Sequence, residues 1–449
     1  MAKSRSSDSS EECLQERFGP LLSISTPSLL TLASNVRNRI SAQDQEPTEN
    51  NRLISRLFGS YNLVHIVEFA DGVKYVIRVP ATGWGSRFTG TAKHSLESQA
   101  LTMRFLRKET TMPLPEIYGI DLTSSNEIGA PYIVMSFISG FTVSSKWFDK
   151  TGPTPLEERR QRTLDTVAEA MSQLRRFQFD QIGSLQFNDG LCKDKITIGS
   201  CYNWDEGAIG DEDYGQKLTV KQSGPFSTSE SYLRFHFNKS KSAKHGYPFT
   251  IGSEKLMNSI IGHLPLSTIN PSSRQSPETF VLSLPDYDSQ NIMIDEQGNL
   301  TGLIDWDNVH TVPRFLGYSS FPGWITRDWD PLMYNYPRNE RENSPEELEQ
   351  YRERYCNKMK HLLDQGGDSR FTTKSHIYEA AAIAATSDAC RLEIVKKFVD
   401  WIFEDEPEHD ALDLLDEVGL GELGSKEQSK LESGFKALLS ASGTSCRRT

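Results

Sequence analysis

Three side chains in the stretch LPDYDSQNIMIDEQGNLTGLIDWD, residues 284–307, have the types and spacing of a metal-dependent phosphoryl-transfer site. Asp286 and Asn291 are five residues apart, and Asp305 follows two short apolar runs. Phosphoryl transfer needs an acceptor hydroxyl held in line and cations held on the phosphate oxygens, and carboxylate and amide side chains hold such cations. An aspartate, an asparagine five residues later and a second aspartate beyond the next hairpin form the order found in kinases.

Two short strands around a tight turn are predicted to position these residues. The apolar runs 292–294 and 300–304 flank a turn at 296–299 that contains a glycine, which is typical of a β-hairpin. Such a hairpin would bring Asn291 and Asp305 to the same end, side by side. The alternative interpretation is a surface hairpin whose acids are solvated.

The other acids of this stretch have a simpler interpretation. Asp288, Asp295 and Asp307 alternate with the three candidate residues, and short acidic side chains are common as turn caps. We interpret them as capping or solvated carboxylates.

Composition excludes several classes of protein. The chain has 449 residues and a formal net charge of -12, and without a run of Lys and Arg it lacks the basic face that nucleic-acid binding requires. No apolar stretch approaches the roughly 18 residues of a membrane helix. We therefore expect neither a nucleic-acid partner nor a membrane span.

The termini and cysteines indicate a cytoplasmic protein. The N-terminal segment MAKSRSSDSSEEC has no apolar signal core and carries acids that transit peptides avoid. Six cysteines are scattered without a CxxC pair, so neither a zinc site nor a disulfide framework is predicted.

The character of the sequence changes several times along the chain. A polar start with one leucine cluster is interpreted as a mobile arm with a short helix, and alternating apolar residues then predict a meander of short antiparallel strands. Helical periodicity dominates afterwards, with a capping box at Ser344 and Glu347. The predicted regions are a mobile arm (1–50), a sheet region (51–138), a helical region (139–423) with an insertion at about 188–276, and a C-terminal tail (424–449).

The motif residues resemble a known family. PDYDSQN followed by IDW is similar to the HxDxxxxN…IDW motif of aminoglycoside phosphotransferases and choline-kinase-like enzymes, in particular their fungal branch. The resemblance extends from about Asn51 to Asp330. It implies an α+β, protein-kinase-like two-lobed fold, with a small antiparallel-sheet N-lobe and a larger, mainly helical C-lobe that bind ATP between them.

The resemblance also implies roles for individual residues. Asp286 would be the catalytic base, and Asn291 and Asp305 would bind Mg²⁺. The nucleotide would be bound by the following residues: Gly59 and Ser60 in a turn over the phosphates, Arg78 at the α- and β-phosphates, and the backbone of Ser136, Phe137 and Ile138 at the adenine.

The chain departs from the family pattern at three positions. Leu284 stands where the motif has His, and Arg78 stands where the strand normally has Lys, although its planar fork is not equivalent to an ammonium group. The glutamate that usually pairs with that lysine corresponds to Glu97 or to Gln99. Arg78 could alternatively be a surface charge on an edge strand, and the turn at Gly59 an ordinary hairpin turn.

The predicted function is ATP- and Mg²⁺-dependent phosphorylation of a hydroxyl on a small molecule. Trp324, Trp329 and Asp330 could line the acceptor site, although core packing is the commoner role for such residues. A catalytically weak kinase-like module that binds nucleotide or a partner is the alternative, motivated by Leu284, Arg78 and Gln99. A protein kinase is a weaker third option, because no APE-type segment follows the motif.

Overall fold

The computed structural model describes most of the chain. The described residues are 13–40, 51–188, 190–192, 195–207, 218–240, 246–266, 277–364 and 367–441. They form two compact units: the first comprises residues up to 140 together with 183–223 and 301–310, and the second comprises 141–182, 224–300 and the residues from 311 onwards.

Short strands and longer helices make up both units. The strands are β1 (Arg52–Phe58), β2 (Asn62–Glu68), β3 (Lys74–Pro80), β4 (Ile117–Asp121), β5 (Tyr132–Ser136), β6 (Phe141–Thr142), β7 (Leu185–Phe187), β8 (Ile196–Ile198), β9 (Cys201–Asp205), β10 (Thr219–Ser223), β11 (Phe280–Leu282), β12 (Ile292–Ile294), β13 (Leu300–Leu303) and β14 (Thr311–Pro313). The α-helices are α1 (Thr26–Ile40), α2 (Gly90–Glu109), α3 (Val143–Lys146), α4 (Leu156–Ser172), α5 (Ser229–Lys239), α6 (Pro248–His263), α7 (Pro345–Leu362), α8 (Ser369–Thr372), α9 (Ser375–Thr386), α10 (Asp388–Ile402), α11 (Ala411–Leu420) and α12 (Ser425–Leu439).

A five-stranded antiparallel sheet forms the centre of the first unit. Its strand order is β1-β2-β3-β5-β4, and α2 follows β3 in the chain before β4 begins. The turn at residues 59–61 joins β1 to β2, and β3 lies between β2 and β5. The predicted α+β class and the predicted small antiparallel sheet are confirmed.

The N-terminal segment packs on this sheet. Phe18, Leu29 and Leu32 are fully buried in one cluster with the sheet residues Ile77 and Val134. Burial of such side chains contributes about 1.5 to 3 kcal/mol each, which holds the segment in place. The prediction of a mobile arm is therefore wrong for residues 13–40, while residues 1–12 and 41–50 lie outside the described residues.

The predicted insertion is divided between the two units. Its first part supplies β8, which pairs with the preceding β7, and the hairpin β9–β10 of the first unit. Tyr202 and Val220 of that hairpin pack against Ala92 of α2. Its second part supplies α5 and α6 to the helical core of the second unit. The lack of clear periodicity in the sequence reflects the change from hairpins to helices within one stretch.

Helices dominate the second unit. The predicted capping box begins α7, where the Ser344 hydroxyl accepts from Glu347 N–H at 3.2 Å and the Glu347 carboxylate accepts from Ser344 N–H at 2.9 Å. The predicted tail is corrected for residues 425–439, because α12 places Leu431 and Phe435 in the core. Residues 442–449 lie outside the described part of the chain.

Two glycines allow α6 and α11 to approach closely. A Cβ atom on Gly252 would lie 1.9 Å from the Leu415 carbonyl oxygen, and one on Gly419 would lie 1.9 Å from the Pro248 carbonyl oxygen. Backbone oxygens cannot move aside as side chains can. The two helices therefore require glycine at their contact.

Replacement of Gly252 by alanine is expected to destabilise the protein. Overpacking costs about 1 to 3 kcal/mol, which exceeds the gain of up to about 1 kcal/mol that alanine brings to a helix. Gly262, in the same helix, is the matched control, because a Cβ there would meet nothing within 4 Å. Urea unfolding of both variants measures the difference, and equal midpoints would show that the close contact is unimportant.

Candidate active site

The loop before β12 holds Asp286 and Asn291 together in the second unit. The Asn291 side-chain amide donates to Asp286 Oδ2 at 2.8 Å and to the Asp286 carbonyl oxygen at 2.9 Å. Gln290 Nε2 donates to the same Oδ2 at 2.8 Å. Asp286 is exposed and Asn291 is buried, so the carboxylate is presented to solvent in a fixed orientation.

Contacts on both sides of Asp286 anchor this loop. Leu284, at the position where the motif has His, is buried at 2 % exposure. The Tyr287 hydroxyl lies 2.9 Å from the Tyr355 hydroxyl, and the Tyr287 carbonyl accepts from Gly323 N–H at 2.8 Å. Burial, with a smaller effect of Tyr355, raises the pKa of Tyr287 well above its ordinary value. Apolar packing and backbone contacts therefore position the loop without the histidine.

The turn after β12 has the predicted form. The Asp295 N–H donates a hydrogen bond to the Asn299 carbonyl oxygen at 3.0 Å, and Gly298 has a positive φ of 90°. The Asp295 carboxylate accepts from the backbone N–H groups of Gln297 and Asn299 at 2.9 and 2.8 Å, so the capping interpretation of Asp295 is confirmed. Asp305 lies in the first unit, and its juxtaposition with Asn291 stays a prediction.

Arg78 is buried in the first unit and contacts two aspartates. Its Nη2 atom donates to Asp305 Oδ1 at 2.7 Å and to Asp307 Oδ2 at 3.0 Å, and its side chain is 11 % exposed. Burial opposes the charge, but Asp307 and Asp305 outweigh it and raise the pKa of the guanidinium. The alternative of a surface charge on an edge strand is wrong, because β3 lies inside the sheet.

The loop after β13 places Asp305 in an unusual backbone conformation. Asp305 has a φ of 62° and Asn308 a φ of 55°, both in the left-handed region, which costs energy for residues other than glycine. Trp306 between them is fully buried and donates its indole N–H to the Leu303 carbonyl at 3.1 Å. The buried indole fixes the loop, and non-glycine residues held in this region cluster at functional sites.

Asp307 is a buried ion-pair partner. Its side chain is 12 % exposed, and Oδ2 also accepts from Asn62 Nδ2 at 2.7 Å. Burial raises the pKa of Asp307 to about 6, although Arg78 lowers it. The solvated-carboxylate interpretation is therefore wrong for Asp307. The only signal in the sequence was its spacing of two residues from Asp305.

The structure decides between Glu97 and Gln99. Gln99 is buried beside Asp307, where its amide helps to lower the pKa of that carboxyl, whereas Glu97 lies near Tyr202. Gln99 Nε2 and Asp307 Oδ1 nevertheless make no hydrogen bond of good geometry with any described residue. The residue of α2 that lies beside Asp307, the partner of Arg78, is therefore a neutral glutamine.

Residues that are remote in sequence, but in the same unit, hold the turn at Gly59 and Ser60, which is predicted to bind phosphate. Gly59 N–H donates to the Asn62 carbonyl at 3.0 Å, and the Ser60 carbonyl accepts from Arg17 Nη1 at 2.6 Å. Tyr61 stacks on Trp204 of β9 with ring centroids 4.8 Å apart. An exposed turn thus receives support from the N-terminal segment and from the β9–β10 hairpin.

Two backbone N–H groups of the segment that is predicted to bind adenine already donate hydrogen bonds within the first unit. Ser136 N–H donates to the Glu116 carbonyl at 2.8 Å, and Phe137 N–H donates to the Lys74 carbonyl at 3.2 Å. Ile138 packs over Gly302, where a Cβ atom would lie 2.5 Å from Ile138 Cγ2. Adenine recognition by this segment would therefore rely on Ile138 and on the carbonyl oxygens.

A cavity of about 200 Å³ lies beside the Asp286 loop within the second unit. It reaches Ser289, three residues after Asp286. Its aromatic and charged lining residues are Trp147, Phe148, Trp324, Arg327, Arg341 and Glu342. Trp324 is buried and lines this cavity, and its role in an acceptor site stays a prediction. Trp329 packs in the helical core, and Asp330 caps the following turn. Trp147 and Arg341 carried no signal in the sequence.

Arg327 is already paired at the rim of this cavity. It forms a short ion pair with Asp288, which also accepts from Ser289 N–H at 2.6 Å. Asp288 is therefore neither a simple cap nor solvated. No described residue pairs with the Arg341 side chain, which is exposed, so Arg341 is the cation at this rim that is available to a ligand.

The stability of this region is expected to depend on pH through Glu379. Burial raises the pKa of Glu379 to about 7, helped by Asp288 and Asp330 and opposed by Thr326 and Arg327. Because the unfolded glutamate releases its proton near pH 4.5, the folded state binds the extra proton between about pH 4.5 and 7. The free energy of unfolding should therefore fall as the pH rises through that window.

Replacement of Glu379 by glutamine is expected to remove this pH dependence. The variant should gain about 2 to 3 kcal/mol relative to the natural protein between pH 5 and pH 8. Urea unfolding at both pH values measures the change. A parallel pH response of the two proteins would show that Glu379 ionises normally.

Solved structures of small-molecule phosphotransferases are similar to this chain over most of its length. A thermostable mutant of the aminoglycoside phosphotransferase APH(4)-Ia, solved in a ternary complex with AMP-PNP and hygromycin B, is 14% identical. Its TM-score is 0.42 over 88% of this chain and 100% of its own. Plasmodium vivax ethanolamine kinase is 12% identical, with a TM-score of 0.41 over 94% of this chain and 96% of its own.

Fungal proteins are similar in sequence. A subtelomeric hrmA-associated cluster protein of Aspergillus fumigatus is 30% identical over 133 residues, which are 30% of this chain and 24% of the relative. Altered inheritance of mitochondria protein 9, mitochondrial, of Clavispora lusitaniae is 20% identical over 307 residues, 60% of this chain and 49% of the relative. The matches thus cover less than half of either relative. No family model matches the chain.

The prediction of a cytoplasmic protein is wrong by this comparison. Relatives from several yeasts carry the word mitochondrial in their names. The prediction relied on the composition of the first residues, which does not determine the compartment. Among the described residues, no helix is both long and apolar enough to cross a membrane.

Proposed function

We propose that the protein transfers the γ-phosphoryl group of Mg²⁺-ATP to a hydroxyl of a small molecule. The observation that carries this proposal is the Asp286 carboxylate, which is exposed while Gln290 and Asn291 both donate to its Oδ2 atom. No described residue donates to Oδ1, which is therefore the atom that would accept the proton of the acceptor hydroxyl. A carboxylate oriented in this way suits general-base catalysis.

Asn291 and Asp305 would each supply an oxygen ligand for Mg²⁺. Mg²⁺ prefers oxygen ligands such as carboxylates and amide carbonyls. Asn291 uses its amide nitrogen for Asp286, so its Oδ1 atom is the donor for a cation, and the Asp305 side chain is 39 % exposed. When bound, the cation would neutralise charge on the phosphate oxygens.

The nucleotide would be held by the first unit. Arg78 supplies a cation from the centre of the sheet, and the turn at Gly59 and Ser60 supplies backbone groups near the start of β2. Ile138 would provide an apolar wall for the base, since it lies just after β5 and packs over Gly302. These roles follow the family resemblance and are supported by the burial of Arg78 and by the contact of Arg17 with the turn.

The acceptor would occupy the cavity beside Ser289. A volume of about 200 Å³ suits a small molecule, Trp147 and Trp324 provide an aromatic wall, and Arg341 offers a guanidinium without a partner among the described residues. An acceptor with an apolar part and an acidic group fits this lining best. Arg341→Ala should raise the KM for such an acceptor, while Arg338→Ala, exposed in the same segment, serves as the control.

Turnover measurements test the proposal directly. ADP release with Mg²⁺-ATP and a panel of small alcohols should depend on the metal and should be abolished by Asp305→Ala. Thermal-shift titration with Mg²⁺-ATP should show stabilisation of about 2.7 kcal/mol at one hundred times the dissociation constant. Absence of both nucleotide binding and turnover would contradict the proposal.

A nucleotide-binding module without efficient turnover is the second candidate. It is favoured by Leu284, because a buried leucine cannot make the polar contacts that a histidine would offer to the catalytic loop. Stabilisation by Mg²⁺-ATP without turnover on any acceptor would support this candidate. Leu284→His is the informative variant, since an increase in turnover would show that the loop retains a catalytic arrangement.

We also propose a mitochondrial location, motivated by the names of the yeast relatives. Fractionation of cells that express the tagged full-length protein tests this location. Recovery of the protein in the cytosolic fraction alone would contradict it.

A further inference from the structure

We propose that Asp307 is the positioning partner of Arg78, and that it takes the place of the helix carboxylate that usually pairs with the cation of this strand. The inference rests on the proposed function, because it assigns how the nucleotide-binding cation is held. It concerns residues of the first unit only: Arg78 on β3, Asn62 at the start of β2, Gln99 on α2 and Asp307 in the loop after β13.

Two carboxylates contact the same nitrogen of Arg78, and their surroundings differ. Asp305 is 39 % exposed, whereas Asp307 is 12 % exposed and also accepts from Asn62 at 2.7 Å. A buried charge that loses its partner is strongly destabilising. Asp307 therefore depends on Arg78 for its charge balance, whereas the exposed Asp305 can be solvated or bind a cation.

Asn62 fixes the position of Asp307. Its side-chain amide donates to the oxygen of Asp307 that Arg78 also contacts. Asn62 is itself 6 % exposed and ends the turn that begins at Gly59. The predicted phosphate turn and the strand cation are thus joined through one carboxylate oxygen, and a change at Asp307 would affect both.

The identity of residue 99 agrees with this assignment. In kinases the strand lysine pairs with a glutamate of the following helix, but the helix residue beside this cluster is Gln99. The carboxylates of Asp305 and Asp307 carry two negative charges, whereas Arg78 carries one positive charge. A glutamate at 99 would add a third carboxylate to a buried site, which is unfavourable, so neutrality at 99 is expected once Asp307 provides the negative charge.

Two double-mutant cycles test the assignment. The first combines Arg78→Met with Asp307→Asn, and the second combines Arg78→Met with Asp305→Asn; both are followed by urea unfolding without nucleotide. We expect the changes in stability to be clearly non-additive in the first cycle and close to additive in the second. Coupling that is equal in the two cycles, or larger with Asp305, would overturn the proposal.

Nucleotide affinity provides the functional readout. Asp307→Asn should weaken Mg²⁺-ATP binding about tenfold or more and raise the KM for ATP, while Asp307→Glu should restore part of the affinity. If Asp307→Asn binds nucleotide as the natural protein does, the positioning role is excluded. If the natural protein does not bind nucleotide, the proposed function fails, while the unfolding cycles still decide whether Asp307 is the partner of Arg78.

Gln99→Glu gives an independent check that does not remove a native charge. The single variant should lower both stability and nucleotide affinity, because it adds a carboxylate to the cluster. Combined with Asp307→Asn, the same change should be less harmful than the sum of the two single changes. Simple additivity of the two substitutions would show that residue 99 and Asp307 do not share the partner role.

Discussion

Replacement of Asp286 by asparagine is expected to reduce kcat by about 10²- to 10⁴-fold while the fold is retained. Asparagine keeps the size of the side chain but cannot accept the proton of the acceptor hydroxyl, and a positioned general base contributes rate enhancements of that order. Because nucleotide binding does not use Asp286, the dissociation constant of Mg²⁺-ATP should stay within about threefold of the natural value. Single-turnover kinetics and thermal-shift titration separate the two effects.

Asp295→Asn is the matched control for this experiment. Asp295 lies nine residues later in the same stretch and caps the turn after β12 through backbone N–H groups, a role that asparagine can also fill. We therefore expect normal turnover from this variant. Full activity of the Asp286→Asn protein would mean that another group accepts the proton, and the assignment of the base would then be wrong.

Loss of the carboxylate charge at Asp368 is expected to have the largest effect on stability. The Arg314 guanidinium donates to both Asp368 oxygens at 2.8 Å, and the Tyr318 hydroxyl donates to Oδ2 at 2.7 Å. The Arg314 and Asp368 side chains are only 10 % and 1 % exposed. Asp368→Asn would leave a buried guanidinium without its counter-charge, which costs about 3 to 5 kcal/mol.

Two further variants separate this ion pair from a general effect of charge. Glu230→Gln disrupts the exposed pair with Arg234 on α5 and should cost no more than about 0.5 kcal/mol. The double change Arg314→Met and Asp368→Leu should recover much of the stability, since apolar replacements of a buried pair are often tolerated. An Asp368→Asn protein as stable as the natural one would show that the pair is not needed for folding.

Local signals in the sequence were sufficient for several parts of the fold. The turn at 296–299, the capping box of α7 and the meander of β1 to β3 depend on residues only a few positions apart, so turn formers, caps and alternation specify them directly. The five-residue spacing of Asp286 and Asn291 is of the same kind, and the structure shows the two side chains bonded. Their roles in catalysis stay predictions.

Contacts between remote residues were decided only by the tertiary structure. Asp307 is buried where it accepts hydrogen bonds from Asn62 and Arg78, which lie 245 and 229 positions earlier in the chain. The residues next to Asp307 in the sequence do not distinguish it from a solvated acid. The same reason explains the docked N-terminal segment, the divided insertion and the lining of the cavity. The sequence by itself determined which residue types stand at which local spacing, whereas burial and charge pairing depend on partners that only the folded chain brings together.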